Sequence, residues 1–286
     1  MSATFDTGTS QLRTHWKGSP AIKHLFVFGD SYSSVGYDSK RPHPNPSEPL
    51  GVPFPGLSDD LYTETTWFED GTKGWNWVAW FVGELYNGVQ AYSYGDGGAT
   101  ILPNPMTPGI LCVSQQIQGE FLPHVGKKPD WAPWSASDSL FVTWVGINDL
   151  GWFISGDLDS FIRKRLDSLF QLQTSLYDAG ARNFLFIDVP PIHLSPNAEG
   201  DGAPYRLWNT TLAGYVAKFA SGHDDATSMI FSSYRTFTNI LTEPEKYGFK
   251  KDEAKKYAGE IWVDHIHPTS KVHSIVARDM ATFLNA

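Results

Sequence analysis

The chain has 286 residues, a single cysteine (Cys112) and an excess of acid, with Asp plus Glu at 31 against Lys plus Arg at 22 for a net charge of -9. A surface of that sign repels a phosphate backbone and no basic cluster offsets it, so nucleic acid is not expected as a partner. One cysteine rules out an intramolecular disulfide and paired-cysteine zinc sites, and the most apolar stretch, 140–154, is too short to span a bilayer and carries Asn148 and Asp149 in its middle.

In chain order, residues 1–20 lack the apolar core of a secretory leader and read as an extended N-terminal segment. That fits either an intracellular protein or a secreted one whose leader has been removed, and the glycosylation acceptor pattern Asn209-Thr210-Thr211 suits the second. Apolar runs of strand length follow at 24–28, 89–94, 139–145, 183–189 and 229–234. Stretches long enough for helices separate them, which predicts a parallel sheet covered on both faces. The first run ends in the tight turn Gly29-Asp30-Ser31-Tyr32. Beyond it, 40–56 contains Pro42, Pro44, Pro46, Pro49, Pro53 and Pro55, which excludes a helix or a central strand. Trp77, Trp80 and Phe81 stand at helical spacing and are expected to face the sheet. After the second run come Gly97-Gly98 and an irregular stretch, 102–109, with three prolines. Cys112 reads as a small buried hydrophobe. A helix is predicted over 159–179, with Ile162, Leu166, Leu169, Phe170, Gln173, Leu176 and Tyr177 on one face and Gly180 at its end. A second, over 205–219, turns Leu207, Leu212, Tyr215, Val216 and Phe219 inward. No repeat or linker divides the chain, so 1–286 is read as one domain.

Open parallel sheets bind ligands beyond the carboxyl ends of their strands, and the turns with Ser31, Gly98 and Asn148 follow the first three runs. Acyl transfer by a serine needs a base, an acid to orient that base, and donors for the developing oxyanion. Ser31 is the candidate nucleophile. Asp264-His265-Ile266-His267-Pro268 supplies the base, His267, and its orienting carboxylate, Asp264, with His265 and His273 as competing histidines. The candidate oxyanion donors are the amides of Ser31 and Gly98 and the side chain of Asn148, while Asp149 is read as structural. Asp30, Trp144 and Trp152 flank these turns and are candidates for substrate contact. No further ligand cluster such as His-Glu-x-x-His accompanies the two histidines, so neither a metal nor a cofactor is expected.

The four blocks resemble those of the SGNH or GDSL-type hydrolases: Gly29-Asp30-Ser31-Tyr32-Ser33, Gly97-Gly98-Ala99-Thr100, Gly146-Ile147-Asn148-Asp149, and Asp264 with His267. The resemblance extends over residues 24–275 and includes Val189-Pro190-Pro191. It implies a three-layer α/β/α sandwich around a flavodoxin-like, parallel, five-stranded sheet, with Ser31, His267 and Asp264 as the triad. Within the superfamily, the first block, Pro53-Phe54-Pro55-Gly56 and Trp75-Asn76-Trp77-Val78 look most like the fungal acetylesterases of carbohydrate esterase family sixteen. That implies a serine esterase removing acetyl groups from hemicellulose sugars such as xylo-oligosaccharides. The alternatives are a lipase or phospholipase for longer acyl chains, and a catalytically silent carbohydrate-binding protein. A dinucleotide site is disfavoured, because Gly95-Asp96-Gly97-Gly98 lacks a third glycine and Pro103 and Pro105 fall where its helix would begin.

Overall fold

Strands without a polar face have to be covered from both sides, and parallel strands need crossovers that provide the cover. The computed structural model describes residues 2–5, 8–40, 42–52 and 74–286. Its strands are β1 (Ser2–Phe5), β2 (Gly8–Gln11), β3 (His24–Gly29), β4 (Gln90–Ser93), β5 (Ser139–Trp144), β6 (Asn183–Ile187) and β7 (Thr227–Phe231). The last five run parallel in the order β4-β3-β5-β6-β7, the flavodoxin-like arrangement, and every residue of β3, β5 and β6 is buried. Phe26 marks the centre of the core, its ring 4.8 to 5.5 Å from those of Phe141, Phe121, Tyr92 and Trp134.

The helices are α1 (Trp77–Trp80), α2 (Val113–Gln115), α3 (Ile147–Gly151), α4 (Leu158–Asp178), α5 (Ala203–Gly222), α6 (Ser233–Thr242) and α7 (Ser270–Leu284). Right-handed crossovers send the chain to one face before β4 and to the other before β6 and β7, so α1 packs with α7 while α4 packs with α5. The face expected of α4 is the buried one, from Ile162 to Leu176, with Tyr177 at its margin. On α5, Leu212, Val216 and Phe219 are buried, joined by Trp208 and Thr211, whereas Leu207 and Tyr215 are only partly covered. Cys112 is buried, and among the described residues no helix is long and apolar enough to cross a membrane.

Two edges differ from the sequence reading. The five-stranded parallel core is extended to seven strands, because β2 pairs antiparallel with β7 and β1 pairs antiparallel with β2. An open row of amides and carbonyls on β7 accepts any extended backbone, and Gly8, Thr9, Ser10 and Gln11 carry no apolar alternation that would announce a strand. On the far edge, the Ala91 amide of β4 donates to the Pro49 carbonyl at 2.8 Å, so the proline-rich segment shields that strand. Pro53-Phe54-Pro55-Gly56 lies outside the described residues. The fifth run also ends earlier than expected, at Phe231, because Ser232 leaves the strand to cap α6, its hydroxyl accepting the Arg235 amide. Asn209 stands within α5 and is doubly bonded to the backbone of Val189, accepting from its amide and donating to its carbonyl, each at 2.8 Å.

Candidate active site

The first turn is built by short-range polar chemistry at the end of β3. Asp30 caps a single 3-10 turn, Ser31–Ser33, its carboxylate accepting the Tyr32 amide at 3.1 Å. Three neighbours hold the turn from outside: Asn76 donates to the Ser34 carbonyl at 2.8 Å, the Trp77 indole donates to the Ser33 hydroxyl at 3.0 Å, and Ser93 donates to the Ser33 carbonyl at 2.6 Å. Asn76 also caps α1 through the amides of Val78 and Ala79. The Trp75-Asn76-Trp77-Val78 block thus fixes the serine turn.

The histidine loop is closed by backbone pairing. Val263 donates to the His267 carbonyl at 2.8 Å, and Trp262 bridges Pro268. Inside it, one oxygen of Asp264 accepts the amides of Ile266 and His267 at 2.8 and 2.7 Å, and the other lies 2.7 Å from His267 Nδ1. An ionised carboxylate can only accept, so Nδ1 carries the proton and the lone pair of Nε2 faces outward. Nε2 lies 2.9 Å from Ser31 Oγ. Partial burial pushes the Asp264 carboxyl up, yet the hydrogen bonds from the His267 ring and from two amides outweigh it and hold the group well below the usual carboxylate range.

The other two histidines are elsewhere. His265 is largely exposed, with Nδ1 4.0 Å from Asp264. His273 is fully buried on α7, its ring edge-on to that of Tyr32 at 5.8 Å and without a hydrogen-bond partner among the described residues, and burial pushes it down to about 3.

The glycine and asparagine turns meet beside Ser31. Asp96 donates its amide to the Gly29 carbonyl at 3.2 Å, which joins the second block to the first. Asn148 Nδ2 donates to the Ala99 carbonyl at 3.1 Å, which joins the third to the second. An amide nitrogen carries two hydrogens, so one remains for another acceptor. Gly98 adopts φ +80°, a conformation in which a side chain is strained, and this turns its peptide within the block. Asp149 is fully buried and accepts the Ile101 amide through both oxygens, with Arg165 3.5 Å away, so it buttresses the same junction.

Two of the substrate-contact expectations are corrected. Trp144 is fully buried, its indole donating to the Asp188 carbonyl at 3.1 Å and its ring edge-on to Tyr32 at 5.2 Å. As the last residue of β5 it points into the core below the turn and offers no surface to a substrate. Asp30 is likewise fully buried, one carboxyl oxygen bound to Tyr32 and the other without a hydrogen-bond partner among the described residues, and burial pushes it up to about 7. Trp152, by contrast, is 42% exposed and lines a surface cleft with Phe153, Ile154, Phe161 and Lys164.

Sequence reasoning missed two residues. Tyr32, buried beside Ser31, donates its hydroxyl to the Ile266 carbonyl and so ties the serine turn to the residue before His267; its place next to Ser31 was the available signal. Gln116, also buried, accepts the Gly29 amide at 2.9 Å and donates to the carbonyls of Gly29 and Leu111 at 2.8 and 2.7 Å. No local pattern marks it.

Fold and site together define a class, the hydrolases of SGNH type, and comparisons with known proteins agree. Residues 25–280 match the GDSL-like Lipase/Acylhydrolase family, and the chain belongs to that family. It is 32% identical over 280 residues to an acetylesterase of Thermothelomyces thermophilus, covering 91% of this chain and 88% of that protein. A GDSL esterase/lipase of Arabidopsis thaliana is 23% identical, over 95% of this chain and 75% of its own length. The structure of LAE5, an alpha/beta hydrolase enzyme from the metagenome of Lake Arreo, Spain, superposes with a TM-score of 0.52 at 16% identity, covering 95% of this chain and 99% of that one, which is a likeness of fold. The protein is a carboxylic ester hydrolase.

Proposed function

We propose that the protein is an acetylesterase that deacetylates sugars, xylo-oligosaccharides among them, through an acyl-enzyme on Ser31. The reading rests on one observation, the continuous chain of hydrogen bonds from Ser31 Oγ through His267 to Asp264, at 2.9 and 2.7 Å. In it, Oγ forms a bond to the ester carbonyl carbon while its proton passes to Nε2 and the carbonyl electron pair moves onto oxygen. The amides of Ser31 and Gly98 and the free hydrogen of Asn148 Nδ2 receive that oxyanion, each such donor contributing about 3 kcal/mol of barrier lowering. Collapse expels the alcohol oxygen, which takes the proton from Nε2; a water activated by the same nitrogen then releases the acid. Asp264, held ionised, keeps the ring in the required tautomer and stabilises the imidazolium. The acetyl preference is supported by the 32% identity to an acetylesterase.

The test is the initial rate of acetate release from acetylated xylo-oligosaccharides, beside aryl acetate, butyrate and octanoate. The expected result is the highest kcat/KM on acetyl esters and its loss in Ser31→Ala. Rates that climb with chain length would turn the reading to a lipase, binding of the oligosaccharide without cleavage to a carbohydrate-binding protein, and full turnover in Ser31→Ala would remove the serine from it.

A further inference from the structure

An acetyl preference calls for a wall close to the reacting carbonyl, and one side chain lies against the glycine assigned to the oxyanion. A Cβ built on Gly98 would come 2.7 Å from Ile110 Cδ1, so the tip of Ile110 rests on the Gly98 α-carbon. The segment that carries Ile110 is fastened next to it: the Leu111 amide donates to Asp96 at 2.6 Å, and the Leu111 carbonyl accepts from Gln116 at 2.7 Å. The same Gln116 amide grips both backbone groups of Gly29, two residues before Ser31. Ile110 is therefore set in position against Gly98 by two side chains, Asp96 and Gln116, that fasten the adjacent Leu111. It is half-buried, so part of its apolar surface faces outward.

Direction follows from proton transfer. The departing oxygen has to face His267 Nε2, because that nitrogen returns the proton. The histidine loop is anchored toward β6, where Ser195 donates to the His265 carbonyl at 2.7 Å. Ile110 and Gly98 lie on the other flank of Ser31, behind β4, in the order β4-β3-β5-β6. With the alcohol turned toward β6 and the oxyanion received between the Gly98 amide and Asn148, the acyl substituent, bonded to the same carbon, passes close to Gly98, where the isoleucine tip lies.

We propose that Ile110 is the wall of the acyl site and the residue that confines the enzyme to short acyl groups. The inference rests on the esterase reading above. A methyl fits against the isoleucine tip, and each further methylene meets it.

The experiment measures kcat/KM for aryl acetate, butyrate and hexanoate with the wild type, Ile110→Val and Ile110→Ala. Discrimination by one methylene in an apolar pocket is roughly 10- to 200-fold, so the butyrate-to-acetate ratio should rise at least about tenfold in Ile110→Ala and by a smaller factor in Ile110→Val. A ratio taken within one preparation does not depend on how much of a variant is folded, and the valine variant keeps the test open if the alanine one does not accumulate. An unchanged ratio in both variants overturns the proposal. So does an unchanged ratio with altered preference among acetates of different alcohols, which would put Ile110 on the leaving-group side. Failure of the underlying reading looks different: the wild type would not turn over acetate, or Ser31→Ala would retain activity.

Discussion

The serine turn and the histidine loop each place an aspartate beside a reactive side chain, and the two carboxyls behave in opposite ways. Asp30 is sealed in, and although the Tyr32 amide and its own amide favour the anion, burial outweighs them and pushes it up to about 7. Asp264 is only partly buried and accepts from two amides and an imidazole, which hold it ionised far into acid. Depth of burial weighed against the donors present, rather than proximity to the reacting group, decides which carboxyl is a standing anion. Only the histidine loop thus offers a permanent negative charge to an imidazolium, while the serine turn uses its aspartate as a backbone cap.

The largest expected effect breaks that asymmetry at its strong end. Asp264→Asn should lower kcat by about 10²- to 10⁴-fold, because the wrong tautomer then faces Ser31. Asp30→Asn, which retains an acceptor for the Tyr32 amide, should cost far less; an equal loss in steady-state rates would contradict the distinction between the two carboxyls.

The bond between the two regions comes next. Tyr32→Phe keeps the ring packed against Trp144 and His273 but removes the donor to Ile266. A hydrogen bond of about 1 kcal/mol corresponds to a several-fold drop, expected in kcat with KM unchanged and in equal measure in the rate of Ser31 modification by an organophosphonate. A fall in thermal stability with normal kinetics per active site would show the tyrosine to be packing only.

A pH series sharpens the contrast in stability. Asp30 has its folded value raised from 3.8 to about 7, so folding takes up a proton and stability falls as pH climbs through that window. Asp149 and Asp188, pushed up to about 6 by burial, act with the same sign. Asp264 acts with the other sign: its contribution is present above about pH 4 and lost only as acid reaches its depressed folded value. His273, pushed down to about 3 by burial, opposes the three acids up to its ordinary value, so the change that isolates Asp30 is a urea midpoint that, between roughly pH 4.5 and 7.5, declines less or rises more in Asp30→Asn than in the wild type. An identical slope in that variant would deny the burial of the Asp30 charge.

The effects with the least bearing on the chemical step separate the two tryptophans. Trp144→Phe should cost about 2 kcal/mol in denaturant unfolding, with KM unaltered, because it opens the core and strips a donor from Asp188. Trp152→Ala should leave stability within about 0.5 kcal/mol, so any change falls on KM for oligosaccharides.

Much of this was legible in the chain. Continuous apolar runs identify β3, β5 and β6 because strands buried on both faces are mostly apolar, with the few polar residues (His24, Ser139, Thr143 and Asn183) near their ends, and turn residues beyond them mark where polar side chains gather. The Asp-x-x-His-Pro spacing distinguished His267 from His265 and His273, since a carboxylate three residues earlier reaches both the ring and the amide. What escaped has physical reasons. The β1 and β2 strands are held by backbone bonds to an open edge, which leave no side-chain signature. Trp144 was misread because nearness in sequence to Asn148 says nothing about the strand face on which it lies. Gln116 and Ile110 act through contacts that only the folded chain creates.

The account stands on Ser31 as the acylated residue, and stoichiometric treatment with a serine-reactive organophosphonate followed by peptide mass mapping tests it most directly. It predicts one adduct per chain, on the peptide containing Ser31, formed in step with loss of esterase activity and absent from Ser31→Ala. An adduct on another residue that accompanies inactivation, or esterase activity that survives full modification of Ser31, would contradict it.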